Sequence, residues 1–168
     1  MPNTVYVARV TGVQVNTSLT KIIGLLVSPS TKRCRLQRAI CTTTTGASGD
    51  KMIRGELIRL SDSGTPGGSG GAWTIGKLDP SSSQTIGTTG VKADTAGTQW
   101  SVVPTTDATS GVQATFGTMN FAPLNGYFLD TGNEAIYFSR GGRIGFQITT
   151  SASQAQTVDL ELWFTEEE

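Results

Sequence analysis

The stretch that decides the fold runs from Gln156 to Thr165 and reads Gln-Thr-Val-Asp-Leu-Glu-Leu-Trp-Phe-Thr. Apolar and polar residues alternate along it, with a period of two that is typical of a β-strand. One face carries Val158, Leu160, Leu162 and Phe164, and the opposite face carries Asp159, Glu161, Trp163 and Thr165. We expect the first face to lie in a hydrophobic core and the second to lie outside it.

Similar alternation recurs along the whole chain, whereas no segment has a helical period over a dozen residues. Strands are predicted at 4–15, 21–27, 32–44, 51–60, 85–91, 99–103, 112–121, 134–139, 143–149 and 156–165. The 26 Thr, 15 Ser and 21 Gly also favour strands and turns. The expected fold class is therefore all-β: an antiparallel β-sandwich, jelly-roll-like, with about 8–10 strands.

The length of 168 residues indicates one domain. Residues 1–17 are expected to form either the first strand or an N-terminal arm, and residues 61–76 a Gly-rich loop. The longest apolar run, 21–27, is far shorter than the roughly 20 residues that a membrane span needs. It also lacks the position and flanks of a signal peptide, so we expect no membrane partner.

The charges are unevenly distributed along the chain. The 13 Lys and Arg balance the 13 Asp and Glu overall. Residues 1–59, however, contain nine basic and two acidic residues, whereas residues 60–168 contain four basic and eleven acidic residues. Whether this asymmetry persists in space depends on how the two halves interleave in the sheets.

Enzyme chemistry finds little support in the sequence. The chain has no histidine, which excludes imidazole-dependent triads and metal sites. Gly67-Gly-Ser69-Gly-Gly71 matches the Gly-x-Ser-x-Gly elbow, but no base and no following helix accompany it. We therefore expect no catalytic residues, no metal and no cofactor. Cys34 and Cys41 fall on opposite faces of an unbulged strand, which predicts two free thiols in a reducing cytoplasm.

The basic residues of the first half are candidates for an interface. Arg33, Arg35 and Arg38 lie on one predicted strand, and Arg54 and Arg59 lie on what should be its neighbour. Because this group lacks interleaved aromatic residues and any nucleic-acid signature, we do not expect it to bind nucleic acid. Pairing with acidic residues of this chain or of a partner is the favoured interpretation.

Trp163 shares its polar face with Asp159 and Glu161. A partly exposed tryptophan is typical of an interface, but a loop carrying Trp73 could also cover it, and both alternatives remain open. The interface candidates are Arg33, Arg35, Arg38, Arg54, Arg59, Trp73, Asp159, Glu161 and Trp163.

Three segments carry a resemblance to a known family. They are Lys32-Arg-Cys-Arg-Leu-Gln-Arg-Ala-Ile-Cys41; Ile53-Arg-Gly-Glu-Leu-Ile-Arg-Leu60 with Lys77-Leu-Asp-Pro80; and Ala135-Ile-Tyr-Phe-Ser-Arg-Gly-Gly-Arg-Ile-Gly-Phe146 with Val158-Asp-Leu-Glu-Leu-Trp-Phe-Thr-Glu166. In these three segments the chain resembles the head decoration or cement proteins of tailed phages.

The resemblance implies a non-enzymatic virion protein, made in the host cytoplasm and located on the outer capsid surface. Such a protein would be a homotrimer, would bind the major capsid protein and would bridge neighbouring subunits. An alternative is a carbohydrate-binding β-sandwich of a tail or spike, which would need Trp73, Trp100 and Trp163 on one surface. Another virion component, such as a head fibre, neck or tail protein, is a further alternative.

Overall fold

A computed structural model describes residues 4–15, 20–45, 53–60, 71–92, 112–121, 126–132, 136–150 and 156–168. Within these ranges the chain forms twelve strands and no helix, and hence no helix that could cross a membrane. The strands are β1 (Val5–Val15), β2 (Thr20–Val27), β3 (Arg33–Thr45), β4 (Ile53–Leu60), β5 (Gly71–Ala72), β6 (Ile75–Lys77), β7 (Thr89–Lys92), β8 (Val112–Phe121), β9 (Tyr127–Asp130), β10 (Ile136–Phe138), β11 (Arg143–Thr150) and β12 (Gln156–Glu167).

The strands make two antiparallel sheets of six strands each. Sheet A has the order β10-β3-β12-β1-β6. Its sixth strand, β9, pairs with the same edge of β3 as β10 does, because β12 pairs with the opposite edge. Sheet B has the order β5-β7-β2-β11-β4-β8. Pairing is nested along the chain: β1 with β12, β2 with β11, β3 with β9 and β10, and β4 with β8. This nested order, with β1 to β4 alternating between the sheets, confirms the predicted jelly-roll sandwich.

Most of the predicted strands correspond to observed ones, and β8 has the predicted bounds. The segment 85–91 becomes a strand only from Thr89, and the predicted strand 99–103 lies outside the described residues. Three short strands, β5, β6 and β9, were not predicted. Of the predicted loop 61–76, residues 61–70 lie outside the described ranges, while β5 and most of β6 occupy its end. Residues 5–15 form a strand between β12 and β6 rather than an arm.

The core lies between the two sheets. Val158, Leu160, Leu162 and Phe164 are fully buried, as their alternation predicted. Aromatic contacts join the layers: the Tyr127 ring of sheet A meets the Phe146 ring of sheet B edge-on, with centroids 4.9 Å apart. Leu25 and Ile58 are also fully buried, so the central strands of sheet B are buried on both faces. This explains why β2 reads as a nearly continuous apolar run.

Trp73 lies in this core, and its predicted place at an interface is wrong. Its side chain is about 95% buried, with a residual exposure of 5%. It packs against Gly24 of β2 so closely that a Cβ atom on that glycine would lie 2.3 Å from Trp73 Cη2. A glycine at position 24 therefore provides the space that the indole occupies.

A β-bulge in β3 corrects the expected orientation of the cysteines. Arg38 is opposite Trp163, but Leu36 is opposite Phe164, so Gln37 is an additional residue in β3. The inserted residue reverses the alternation, and both Cys34 and Cys41 point into the core. The prediction that they face opposite sides is wrong. They are nevertheless free thiols, since seven residues of strand separate their Cα atoms by about 23 Å.

Candidate functional site

The structure divides the nine predicted interface residues into three groups. Six lie on the outer face of sheet A: Arg33, Arg35, Arg38, Asp159, Glu161 and Trp163. Arg54 and Arg59 lie on β4, which belongs to sheet B, so the expectation that β3 and β4 are neighbours is wrong. The ninth residue, Trp73, is in the core. β3 and β4 therefore do not form one continuous basic sheet surface, although Arg33 and Arg59 approach each other at Tyr137.

Ion pairs within the molecule join the basic first half of the chain to the acidic second half. Nested pairing places strands of the basic first half beside strands of the acidic second half. The pairs are Arg9 with Glu161 at 3.1 Å, Lys32 with Glu166 at 3.3 Å, Arg33 with Glu167 at 3.1 Å and Arg38 with Asp130 at 2.8 Å. Each of them joins a base from residues 1–59 to an acid from residues 60–168. Four of the nine basic residues of the first half are therefore paired with acidic residues of the second half.

The two carboxylates of β12 have structural partners. Asp159 Oδ1 accepts the backbone N–H of Gly12 at 2.8 Å. Gly12 has a φ of 72° and lies where the register of β1 shifts, so this hydrogen bond fastens a bulge that needs a glycine. Glu161 pairs with Arg9 and accepts the indole N–H of Trp163 at 3.3 Å. Both carboxylates are therefore engaged by groups of this chain.

Arg54 is engaged within sheet B. Its Nε and Nη2 donate to Glu56 Oε1 at 2.9 and 2.5 Å, while Gln147 and Thr118 donate to the same carboxylate. Burial alone would raise the pKa of Glu56, but these hydrogen bonds outweigh it and hold the pKa below its ordinary value. Glu56 is thus an ionised carboxylate inside a polar network that joins β4, β8 and β11.

Arg59, on β4 of sheet B, contacts a residue of sheet A. Its guanidinium lies 5.1 Å from the ring centroid of Phe116 and donates to the carbonyl oxygen of Tyr137. Arg33 lies over the ring of the same Tyr137, with its Cζ 4.7 Å from the centroid. The two arginines border a cleft of about 280 Å³ with Tyr137, Phe138 and Ser139.

Another cluster surrounds Arg38 on the outer face of sheet A. The Arg38 guanidinium lies between two aromatic rings, 5.1 Å from the centroid of Trp163 and 5.6 Å from that of Phe128. Beside it is a groove of about 240 Å³ lined by Val5, Arg35, Gln37, Arg38, Leu78, Asp130, Gly132 and Trp163. We call Arg35, Arg38, Leu78, Phe128 and Trp163 the Arg38 surface.

The Arg38 surface contains both large hydrophobic side chains that are exposed among the described residues. Phe128 is 57% and Leu78 is 54% exposed. Grouping of exposed apolar side chains around arginine and tryptophan is typical of a binding surface. Trp163 lines the groove together with Leu78, and the Arg38 guanidinium lies beside its ring, while Trp73 itself is buried in the core. Sequence analysis missed Leu78, Phe128 and Asp130, although Tyr127-Phe-Leu-Asp130 has a short alternation that could have shown β9.

Within the described ranges, no group of three or more His, Cys, Asp or Glu is placed to hold a metal ion. Ser69 of the elbow-like motif and Trp100 lie outside those ranges. Comparison of the chain with protein-family models, with curated proteins and with solved structures gave no match.

Proposed function

We propose that this chain is a non-enzymatic structural protein of a virion, of the capsid decoration or cement type. It would bind the outer surface of a phage head as a homotrimer and bridge neighbouring copies of the major capsid protein. The observation that carries the proposal is the Arg38 surface, on which exposed apolar side chains surround an arginine held between two aromatic rings.

The composition of this surface supports adhesion. Tryptophan and arginine are the residue types that dominate binding energy at protein interfaces, where they are surrounded by polar groups that exclude water. Here four of the five side chains project from β3, β9 and β12, so a paired sheet holds them in place before a partner arrives, and Leu78 directly follows β6. Such preorganisation lowers the entropy that binding costs.

The mechanism would be linkage between binding and stability. A protein that binds the assembled shell, and not its separated subunits, stabilises the shell by an amount that grows with the logarithm of its concentration relative to Kd. Contacts that cross a boundary between subunits are lost when the shell comes apart. The decorated shell therefore resists heat better than the bare one.

The test is a melting experiment on expanded empty shells of the phage that encodes the chain. Added protein should raise the shell Tm, and Phe128→Ser should reduce this effect, because it removes an exposed apolar anchor without touching the core. Ser83→Ala, an exposed substitution outside the Arg38 surface, is the matched control and should behave as wild type. Equal shell Tm values with and without protein would contradict the proposal.

Binding to carbohydrate is the competing outcome. A carbohydrate site of the kind considered above needs Trp73, Trp100 and Trp163 on one surface. The burial of Trp73 removes one of these three side chains. Binding on a glycan array that disappears in Trp163→Ala, together with no effect on shells, would favour a sugar-binding role over decoration.

A further inference from the structure

Arg35 differs from the other arginines on the outer face of sheet A. Arg9, Arg33 and Arg38 each form an ion pair with a carboxylate. Among the described residues Arg35 has no carboxylate partner: its Nη2 donates to the carbonyl oxygen of Gly132 at a long 3.4 Å. Its Nε is buried and has no hydrogen-bond partner. A guanidinium held in this way is short of acceptors.

The groove places this guanidinium beside apolar side chains. Arg35 and its partner Gly132 both line it, and Val5, Leu78 and Trp163 supply an apolar wall. Asp130 also lines the groove, but its two oxygens are engaged by Arg38 at 2.8 Å and by the N–H of Gly132 at 2.9 Å. Of the described residues that line the groove, Arg35 therefore carries the one remaining charge, which is positive.

We propose that the groove receives a carboxylate side chain of a protein partner, followed by an aliphatic side chain. The carboxylate pairs with the guanidinium of Arg35, and the aliphatic group packs against Leu78 and Trp163. One unpaired cation matches one carboxylate, whereas a phosphate would be better matched by more than one free cation. The side-chain amide of Gln37, at the β3 bulge, is available to the peptide backbone of the partner.

This inference rests on the proposed function, because it names the partner chemistry at the same surface. It can be tested without shells by titrating the ¹⁵N-labelled protein with N-acetyl-Glu-Leu-amide and observing the Arg35 Nε–H and Trp163 indole N–H resonances. N-acetyl-Gln-Leu-amide is the matched probe without the charge. We expect saturable shifts with the Glu peptide and at least about tenfold weaker binding of the Gln peptide.

Arg35→Gln should abolish the saturable shift of the Trp163 resonance, whereas Arg33→Gln, which removes an arginine already paired with Glu167, should leave it unchanged. Binding should also weaken as the pH falls below about 4.3, where the glutamate of the probe becomes protonated. Equal binding of the two peptides, or no binding of either, overturns the inference.

The shell experiment separates this inference from the proposed function. If Arg35→Gln decorates shells as wild type does, and the Glu peptide does not bind, the carboxylate inference is wrong while decoration stands. If the Glu peptide binds through Arg35 but the protein does not affect shells, the inference stands and decoration is wrong.

Discussion

At the scale of single residues, Gly24 is the position where the absence of a Cβ atom decides the packing. In Gly24→Ala the new Cβ would lie 2.3 Å from Trp73 Cη2 and 2.9 Å from Leu160 Cδ2. Overpacking of a core costs about 1–3 kcal/mol, so we expect a fall of that size in the free energy of unfolding in urea. Gly76→Ala is the control, since a Cβ there meets nothing within 4 Å and should change the free energy by less than about 0.5 kcal/mol.

The lowered pKa of Glu56 predicts that the stability of the fold depends on pH. Because its pKa is lower in the folded state than in the unfolded chain, its contribution is present above the unfolded pKa of about 4.3 and is lost as the pH falls through the folded pKa. Glu56→Gln should therefore cost about 1–3 kcal/mol at pH 7. The difference from wild type should shrink in acid. Urea unfolding of both proteins at pH 7 and at pH 3 measures it, and an equal loss at both pH values would contradict this role.

Single residues also show where sequence patterns stop being informative. The burial of Val158, Leu160, Leu162 and Phe164 follows from alternation within one strand and was predicted. The contact of Trp73 with Gly24 joins residues that are far apart in sequence. Trp73 lies between two very short strands, so no local period assigns it to the core.

At the scale of elements, the bulge of β3 makes a prediction about thiol chemistry. Both cysteines face the core, and burial raises the pKa of Cys34 to about 12 and that of Cys41 well above its ordinary value. Neither thiol of the folded protein should react with a thiol reagent at pH 8, because reaction requires an accessible thiolate. Both should react after unfolding in guanidinium. Fast reaction of one thiol in the native protein would mean that β3 is unbulged.

The long strands were predicted from sequence, whereas the bulges and three of the five short strands were not. A bulge is set by the register with a partner, here Arg38 opposite Trp163 and Leu36 opposite Phe164, and that register is not visible within β3 itself. β9 contains four residues and shows only two alternations. Missing β9 hid Phe128 and Asp130, which is why only the β3 and β12 parts of the Arg38 surface were predicted.

At the scale of the whole molecule, nested pairing makes each half of the chain depend on the other. β12 lies between β1 and β3, and β11 lies between β2 and β4. We expect fragments 1–92 and 112–168 to be unfolded when they are separate, because each lacks the central partners of its strands. Far-UV circular dichroism and the chemical-shift dispersion of NMR spectra measure whether each fragment is folded. A cooperative urea transition in either isolated fragment would show that the halves fold independently.

The same interleaving explains why net charge and its distribution were poor guides to function. Four ion pairs between the halves use basic residues that looked available for a partner. The sequence shows the asymmetry, but only the strand order shows that part of it is neutralised by ion pairs inside one molecule. In the groove beside Arg38, Arg35 is the guanidinium that has no carboxylate partner among the described residues.

The register of β1 with β12 places Val5 opposite Thr165, and Val5 also lines the groove. A peptide joined through a flexible tether to the N-terminal end of β1 or to the C-terminal end of β12 would therefore start at the rim of the groove. Its effective local concentration there would reach the millimolar range for a short tether, which turns a weak encounter into an intramolecular one. Fusion of an acidic peptide at this rim is thus a direct way to hold a weakly bound complex together long enough to observe it.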